Sequence, residues 1–398
     1  MSTSGEVPIV GRVAAGWEPV RDAFVHNLRS RDDIGAGVAV YHRGELVVDV
    51  VGGYFDNAAT REYLPDTLQL TFSTTKGVVA LAVAMCVERG LLSYDELVHH
   101  FWPEFATGNK KSITVGQLLS HRAGLYTTDE TVSFEDLLDW EVMTGKLSRT
   151  APLFEPDSTH GYHAITFGWL AGELVRRVDG RSVGRFVQEE IAGPIGGEIY
   201  IGLPERLEAR VSPINQGWEQ PGSPPRASTP RPNPGIHDTA LNRALTVNGA
   251  LAVKGAFNRR DIHAAEIPAA NGISNARSLA AMYAATLSPI DGADGRVRLL
   301  STEVREVAAT NATPPGERDA ILVFPTSFSM GFMAPCGAVP YDRPGSFGHP
   351  GAGGSVSFAD PTRELAFSYV MNRMSGELMG DERANRLVRA AFAVADSR

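Results

Sequence analysis

From Gly37 to Val51 the chain alternates little: Gly37-Val-Ala-Val-Tyr-His42, a break at Arg43-Gly44, then Glu45-Leu-Val-Val-Asp-Val-Val51. Two β-branched runs on either side of a Gly turn predict a β-hairpin. Between Val78 and Val87 the residues are apolar nearly all round the helical repeat, and Gly90 follows directly after Arg89. A helix without a polar face is predicted to be buried, and a glycine just past its last periodic residue marks its end. Thr114-Val-Gly-Gln117 has the form of a capping box, opening a short helix that stops before His121-Arg-Ala-Gly-Leu125. Further helices are predicted over 163–178, closed by Asp179-Gly180, over 183–191, and through Leu287 with Ser274 as the cap. The last hundred residues return to strands, at 328–333, 354–358 and 365–371, before a closing helix over 382–395.

Seven prolines lie between Pro213 and Pro234, which forbids a regular element there and marks a surface excursion. The order is thus hairpin, long helical middle, strands, helix. Segregated strands and helices argue for an α+β arrangement over a doubly wound sheet. The economical topology pairs the terminal strands in one antiparallel sheet, residues 1–70 with 290–398, flanked by the terminal helices. Residues 71–289 then form an inserted, mostly helical domain.

Composition narrows the function classes. A chain of 398 residues with 43% hydrophobic and 21% charged residues is that of a globular enzyme rather than a disordered or coiled-coil protein. Its net charge of −9 offers no basic face for nucleic acid or anionic lipid. No apolar run reaches the ~18 residues of a membrane span, and Met1-Ser-Thr-Ser-Gly lacks a charged region before an apolar core, so the cytoplasm is the expected compartment. Two cysteines, Cys86 and Cys336, are too few for a disulfide framework, and the histidines lack the acidic or Cys neighbours of a zinc site.

Three stretches carry chemistry. Ser73 and Lys76 stand three apart at a helix start, so one face presents both, and no other Ser in the chain has Lys at that spacing. A Ser hydroxyl is a weak nucleophile that needs a base and a pocket of N–H groups for the developing oxyanion. A Lys serves as that base only when burial makes it neutral. The second stretch, His160-Gly-Tyr162-His-Ala164, precedes a helix, and a phenol there can pass a proton to a leaving group. The third, Phe347-Gly-His349-Pro-Gly351-Ala352-Gly-Gly-Ser355, has four glycines that let a strand edge approach a ligand. Read without a ligand, it is a tight hairpin turn. Gly-x-Ser-x-Gly, the alternative esterase signature, is absent; the nearest approach is Gly272-Ile-Ser274-Asn-Ala276, with Asn271 beside it as a lesser site candidate.

Taken in order, these motifs resemble the Ser-x-x-Lys, Tyr-x-Asn, Lys-Thr-Gly series of class C β-lactamases and DD-peptidases. With Leu118-Leu-Ser-His-Arg-Ala-Gly-Leu125 and Ala359-Asp-Pro361, the set is most similar to the esterase branch, the family VIII carboxylesterases. The resemblance spans roughly residues 15 to 395 and implies a β-lactamase/DD-peptidase-like fold. It also implies a cofactor-free, metal-free hydrolase that cleaves small, short-chain esters through an acyl-enzyme. Ser73 would be the nucleophile, with Lys76 and Tyr162 sharing the base and acid roles in an order the residues leave open. His349 and Gly351 match the ends of the Lys-Thr-Gly element, and the N–H groups of Ser73 and Ala352 would form the oxyanion hole. Two departures matter: Ala164 stands where the lactamases carry Asn, and His349 where they carry Lys. Both favour neutral esters over β-lactams. A β-lactamase, DD-peptidase, acyltransferase or slowly acylating penicillin-binding module on the same site is the alternative.

Overall fold

A computed structural model describes residues 7–30, 32–216 and 239–398, so most of the Pro-rich stretch lies outside the described residues. The largest sheet has six strands: β1 (Ile9–Val13), β2 (Gly35–His42), β3 (Glu45–Gly53), β4 (Phe347–Pro350), β5 (Val356–Asp360) and β6 (Leu365–Met371). Their order is β1-β3-β2-β6-β5-β4 and every pairing is antiparallel. The two chain ends meet at the centre, where β2 and β6 run from Gly37 opposite Val370 to His42 opposite Leu365. The predicted hairpin is β2–β3, turned by Arg43 at φ 52° and Gly44 at φ 79°, a pair whose left-handed backbone matches the twist of the strands.

Both sheet faces are buried, and the alternation along the strands sorts what covers them. Val38, Val40, Phe358, Phe367 and Tyr369 face a cluster with Trp17, at the N-cap of α1 (Glu18–Arg29), Phe24 of that helix, and Leu387 and Phe392 of α5 (Glu382–Ala395). On the opposite face Ala39, Ala366 and Val370 join the larger core of the helical middle. Small residues dominate there because a helix lies close: a Cβ on Gly37 would stand 3.5 Å from that of Ala276, at the start of α4 (Ala276–Leu287).

The centre of the helical middle is α2 (Thr75–Glu88), buried at every position from Thr75 to Cys86, as its unbroken apolar pattern predicts. Against it packs α3 (Thr166–Asp179), closed by Gly180 in the left-handed region. Thr114 and Gln117 form the expected capping box.

Several boundaries differ from expectation. The helix predicted from 163 begins at Thr166, because Tyr162 N–H donates to Asp319 and His163 N–H to His121 before the helical ladder starts. Residues 183–191 form a helical turn, Val183–Phe186, that widens into a π turn over Val187–Ala192. Residues 328–333 are a tight turn rather than a strand: Gly331 sits at φ 91°, where a Cβ would come within 2.8 Å of Ala80. Ser274 is not the cap of α4; Asn275 is, accepting from Ser278 N–H, while Ser274 Oγ donates to Glu198 O. The strand expected from 354 begins at Val356, and the expected set lacked its partner β4.

Candidate active site

Ser73 lies on a single 3₁₀ turn, Phe72–Thr74, that leads without a break into α2. The turn starts from an unusual backbone: Phe72 has φ 48°, a region that bulky side chains occupy only when neighbours enforce it. The enforcement is visible. Thr71 donates through both N–H and Oγ1 to Gly272 O, at 2.9 and 3.1 Å, and Thr75 Oγ1 donates to Phe72 O at 2.5 Å. Gly272 N–H returns a bond to Thr75 Oγ1, and a Cβ on Gly272 would overlap that oxygen at 2.4 Å. The Ser73 turn is therefore clamped to Gly272, just ahead of the short strand Ile273–Ser274 that leads into α4.

Lys76, one turn on, is fully buried. Its Nζ lies 3.0 Å from Ser73 Oγ, 2.6 Å from Ala164 O and 3.0 Å from Ala269 O. No carboxylate is among these partners, and burial holds the amine well below its ordinary pKa. A neutral amine has two N–H donors and one lone pair. With the two carbonyls taking the donors, the lone pair is left for the Ser73 hydroxyl. Tyr162 Oη lies 2.9 Å from Ser73 Oγ and its ring is 4.8 Å from Lys76 Nζ. Burial pushes the phenol above its usual range, against the smaller effect of the Ser73 bond, so it stays protonated at neutral pH. The structure thus brings Ser73, Lys76 and Tyr162 into mutual contact from two segments 89 residues apart.

Sequence reading missed what holds Tyr162 in place. Asp319 accepts from the Tyr162, Ile321 and Leu322 N–H groups and from Thr326 Oγ1, which in turn meets His160 Nε2 at 2.9 Å. His121, from the Leu118–Leu125 motif, packs edge-on against Tyr162 and Phe328. The motif was legible as a motif, but nothing in it names Tyr162 as its neighbour.

The glycine-rich stretch forms the tight hairpin turn: β4 and β5 pair as a hairpin, and its turn, 351–355, reaches the Ser73 turn. Ser355 Oγ donates to Thr71 O at 2.9 Å and meets Thr74 Oγ1 at 3.0 Å. Gly351 is required here, since a Cβ would lie 2.3 Å from Thr71 O. Ala352 packs on the apolar cluster of Phe72, Ile214 and Ile273, with Phe257 and Met374 beside it. Among the described residues the N–H groups of Ser73 and Ala352 have no protein acceptor, so both remain available. His349 stacks on Tyr162 with ring centroids 6.0 Å apart. Its ring is fully buried, its Nδ1 is 2.6 Å from Pro350 O, and burial lowers its pKa to about 3. Asn271, the lesser candidate, is no part of the site: its amide is consumed by Ile262 O, Ala265 O and Ile267 N–H, fixing the loop that presents Ala269. Among the described residues no three His, Cys, Asp or Glu side chains are grouped to hold a metal, and no helix is long and apolar enough to cross a membrane.

Residues 20–391 match the Beta-lactamase family model. The esterase/beta-lactamase LipL of Mycobacterium tuberculosis is 33% identical over 387 residues, which cover 94% of this chain and 87% of that protein. Among solved structures, a family VIII carboxylesterase superposes with a TM-score of 0.85 at 35% identity, over 97% of this chain and 100% of the other. A penicillin-binding protein homologue from Caulobacter crescentus gives a TM-score of 0.85 at 36% identity, with the same coverage of 97% and 100%.

Proposed function

The chain belongs to the beta-lactamase family, with the fold of that family, and from that premise we propose that it is a serine carboxylesterase acting on small, uncharged, short-chain esters. The observation that carries the reading is Ser73 Oγ, 3.0 Å from a buried amine that also meets two carbonyls, and 2.9 Å from the Tyr162 phenol. Of the two candidate bases, Lys76 fits, because burial lowers its affinity for a proton while it raises that of Tyr162.

In this mechanism Lys76 takes the Ser73 proton as Oγ attacks the ester carbonyl, and the N–H groups of Ser73 and Ala352 stabilise the oxyanion. Tyr162 delivers its proton to the departing alkoxide as it regains one from Lys76, leaving an acyl-enzyme. Water then repeats the sequence in reverse, releasing the acid. The mechanism needs no cofactor, and ester hydrolysis is the activity for which LipL and the family VIII relative are named. The division into a sheet domain, 1–70 with 290–398, and an inserted helical domain, 71–289, belongs to the same proposal, as does a cytoplasmic setting.

Selectivity for esters follows from two positions. Ala164 gives Lys76 a backbone carbonyl and offers no amide side chain to a β-lactam. His349 is neutral over the working pH range and provides no cation for a substrate carboxylate. Phe72, Phe257 and Met374 around Ala352 suit an apolar acyl group. An unmet buried amide costs about 1–3 kcal/mol, and with the missing cation the expected penalty is about 10²–10⁴-fold in kcat/KM. The test is kcat/KM for p-nitrophenyl acetate, p-nitrophenyl butyrate and nitrocefin on one preparation. A nitrocefin value equal to the ester values sinks the esterase reading in favour of a lactamase.

A further inference from the structure

A buried ionic cluster rests against the 351–355 turn and has no task in the mechanism above. Its centre is Arg383, in the first turn of α5 and 6% exposed. Nε donates to Asp381 Oδ1 at 3.0 Å, and Nη1 to Asp33 Oδ1, Asp32 O and Arg373 O at 2.8, 3.0 and 2.8 Å. Nη2 donates to Asp381 Oδ2 at 2.7 Å and to Gly353 O at 2.6 Å. Asp33 in turn accepts the Tyr369 hydroxyl at 2.7 Å. Every guanidinium nitrogen is thus directed at a protein acceptor, which leaves no donor for a substrate.

One of these contacts leads to the reaction. Gly353 O lies two peptide units on from the Ala352 N–H, within the same turn. Besides Arg383 it accepts Ser375 N–H at 3.0 Å, and Gly353 N–H reaches Glu377 O at 3.3 Å. The next residue is seated on the guanidinium itself: Gly354 has φ 128°, and a Cβ there would lie 2.6 Å from Arg383 Nη2 and 2.7 Å from Asp381 Oδ2. The far end of the turn is pinned by Ser355 to Thr71 and Thr74, on either side of Ser73. The turn is therefore stretched between two anchors, one beside the nucleophile and one in the helix that closes the fold.

We propose that Arg383, held by Asp33 and Asp381, is a positioning residue that sets the Ala352 N–H against the oxyanion, and so couples the C-terminal helix to the rate of the reaction. The inference rests on the proposed oxyanion role of Ala352. The planar guanidinium spans two carboxylates and the Gly353 carbonyl from three separate nitrogens; a Lys keeps the charge but presents its three donors from one nitrogen and cannot span them. Removing one oxyanion donor outright costs about 10²–10³ in kcat, so a displaced one costs less.

The test is Arg383→Lys assayed with p-nitrophenyl butyrate and with phenylboronic acid, whose tetrahedral adduct on a serine places an oxygen where the oxyanion forms. The expected result is a kcat about 10–100-fold lower, a KM within threefold, and a boronate Ki raised by the same factor as kcat/KM falls. The acid limb of the pH profile, which reports Lys76, stays where it is. Should Arg383→Lys not fold, Asp381→Asn carries the test, since Asn still caps α5 while the charge beside Nη2 is lost; about 3–10-fold in kcat is expected. Folded Arg383→Lys with kcat and boronate Ki within threefold of the wild type, and only a lower Tm, reduces the cluster to a structural one and overturns the proposal. Failure of boronate to inhibit the wild type counts instead against the Ser73–Ala352 site, and takes the Arg383 role down with it.

Discussion

Two walls meet at Ser73, and they are built differently. On the helical side, Lys76 and Tyr162 are enclosed by aromatic and aliphatic side chains, and the partners of the amine are two backbone carbonyls and a hydroxyl. On the sheet side, the 351–355 turn presents backbone N–H groups, supported by two carboxylates and a guanidinium under Gly353 and Gly354. The reason is physical. A general base that works near neutrality is an amine whose ammonium form has been disfavoured, and a carboxylate beside Lys76 would restore that form. An oxyanion hole needs no titratable group, only dipoles held still, so charge can be used freely behind it to fix the backbone. One wall tunes a proton affinity by keeping carboxylates away from the amine; the other fixes a geometry by burying them.

The comparison is broken hardest at the nucleophile. Ser73→Ala removes the covalent step, and p-nitrophenyl butyrate hydrolysis is expected to fall by at least ~10³-fold with the circular dichroism spectrum unchanged. More than a few per cent of residual activity in a clean preparation would remove Ser73 from the mechanism.

Lys76→Arg probes the helical wall and should be nearly as damaging, ~10³-fold, because a guanidinium cannot lose its proton near neutral pH. With Lys76 as the base, wild-type activity is expected to hold on the alkaline side and to fall as the pH drops through the Lys76 pKa, which burial places well below 10.5. A pH profile that rises only near 10.5 would show a solvated amine.

Burial of neutral histidines, His163 on the helical side and His349 in β4, links stability to pH. His163 and His349 are held to about 3 in the folded protein against an ordinary 6.5. The unfolded chain therefore binds protons that the folded one refuses, so their contribution is intact above pH 6.5 and erodes as the pH falls from 6.5 toward 3. Each should cost about 1.4 kcal/mol per pH unit across that window. The check is the urea midpoint from pH 7 to pH 4; replacing His349 with Gln should flatten the slope.

The smallest effect is expected at the seam between the walls. Ser355→Ala severs the bonds to Thr71 O and Thr74 Oγ1 and leaves Thr71 O with one donor fewer. A loss of about 1–2 kcal/mol in stability and less than tenfold in kcat is expected from thermal melts and ester kinetics. A drop as large as that of Lys76→Arg would mean that the seam, rather than either wall, governs the rate.

The chain by itself determined what depends on near neighbours. Three-residue spacing put Ser73 and Lys76 on one face, an unbroken apolar run made α2 a buried helix, and Arg43-Gly44 turned the hairpin. Segregated strands and helices also named the α+β class, because hydrophobic periodicity is a local property that each element must satisfy alone. Tertiary structure decided the rest. Ala164 and Ala269 meet Lys76 through their carbonyls, a group every residue owns, so no side chain advertised them. Asp319 under Tyr162, and Asp33 with Arg383 across 350 positions, are ordinary charged residues until folding removes them from water. Which carboxylate is buried, against which backbone group, and at what cost to its proton affinity are set by the packing of distant segments, and no local pattern encodes them.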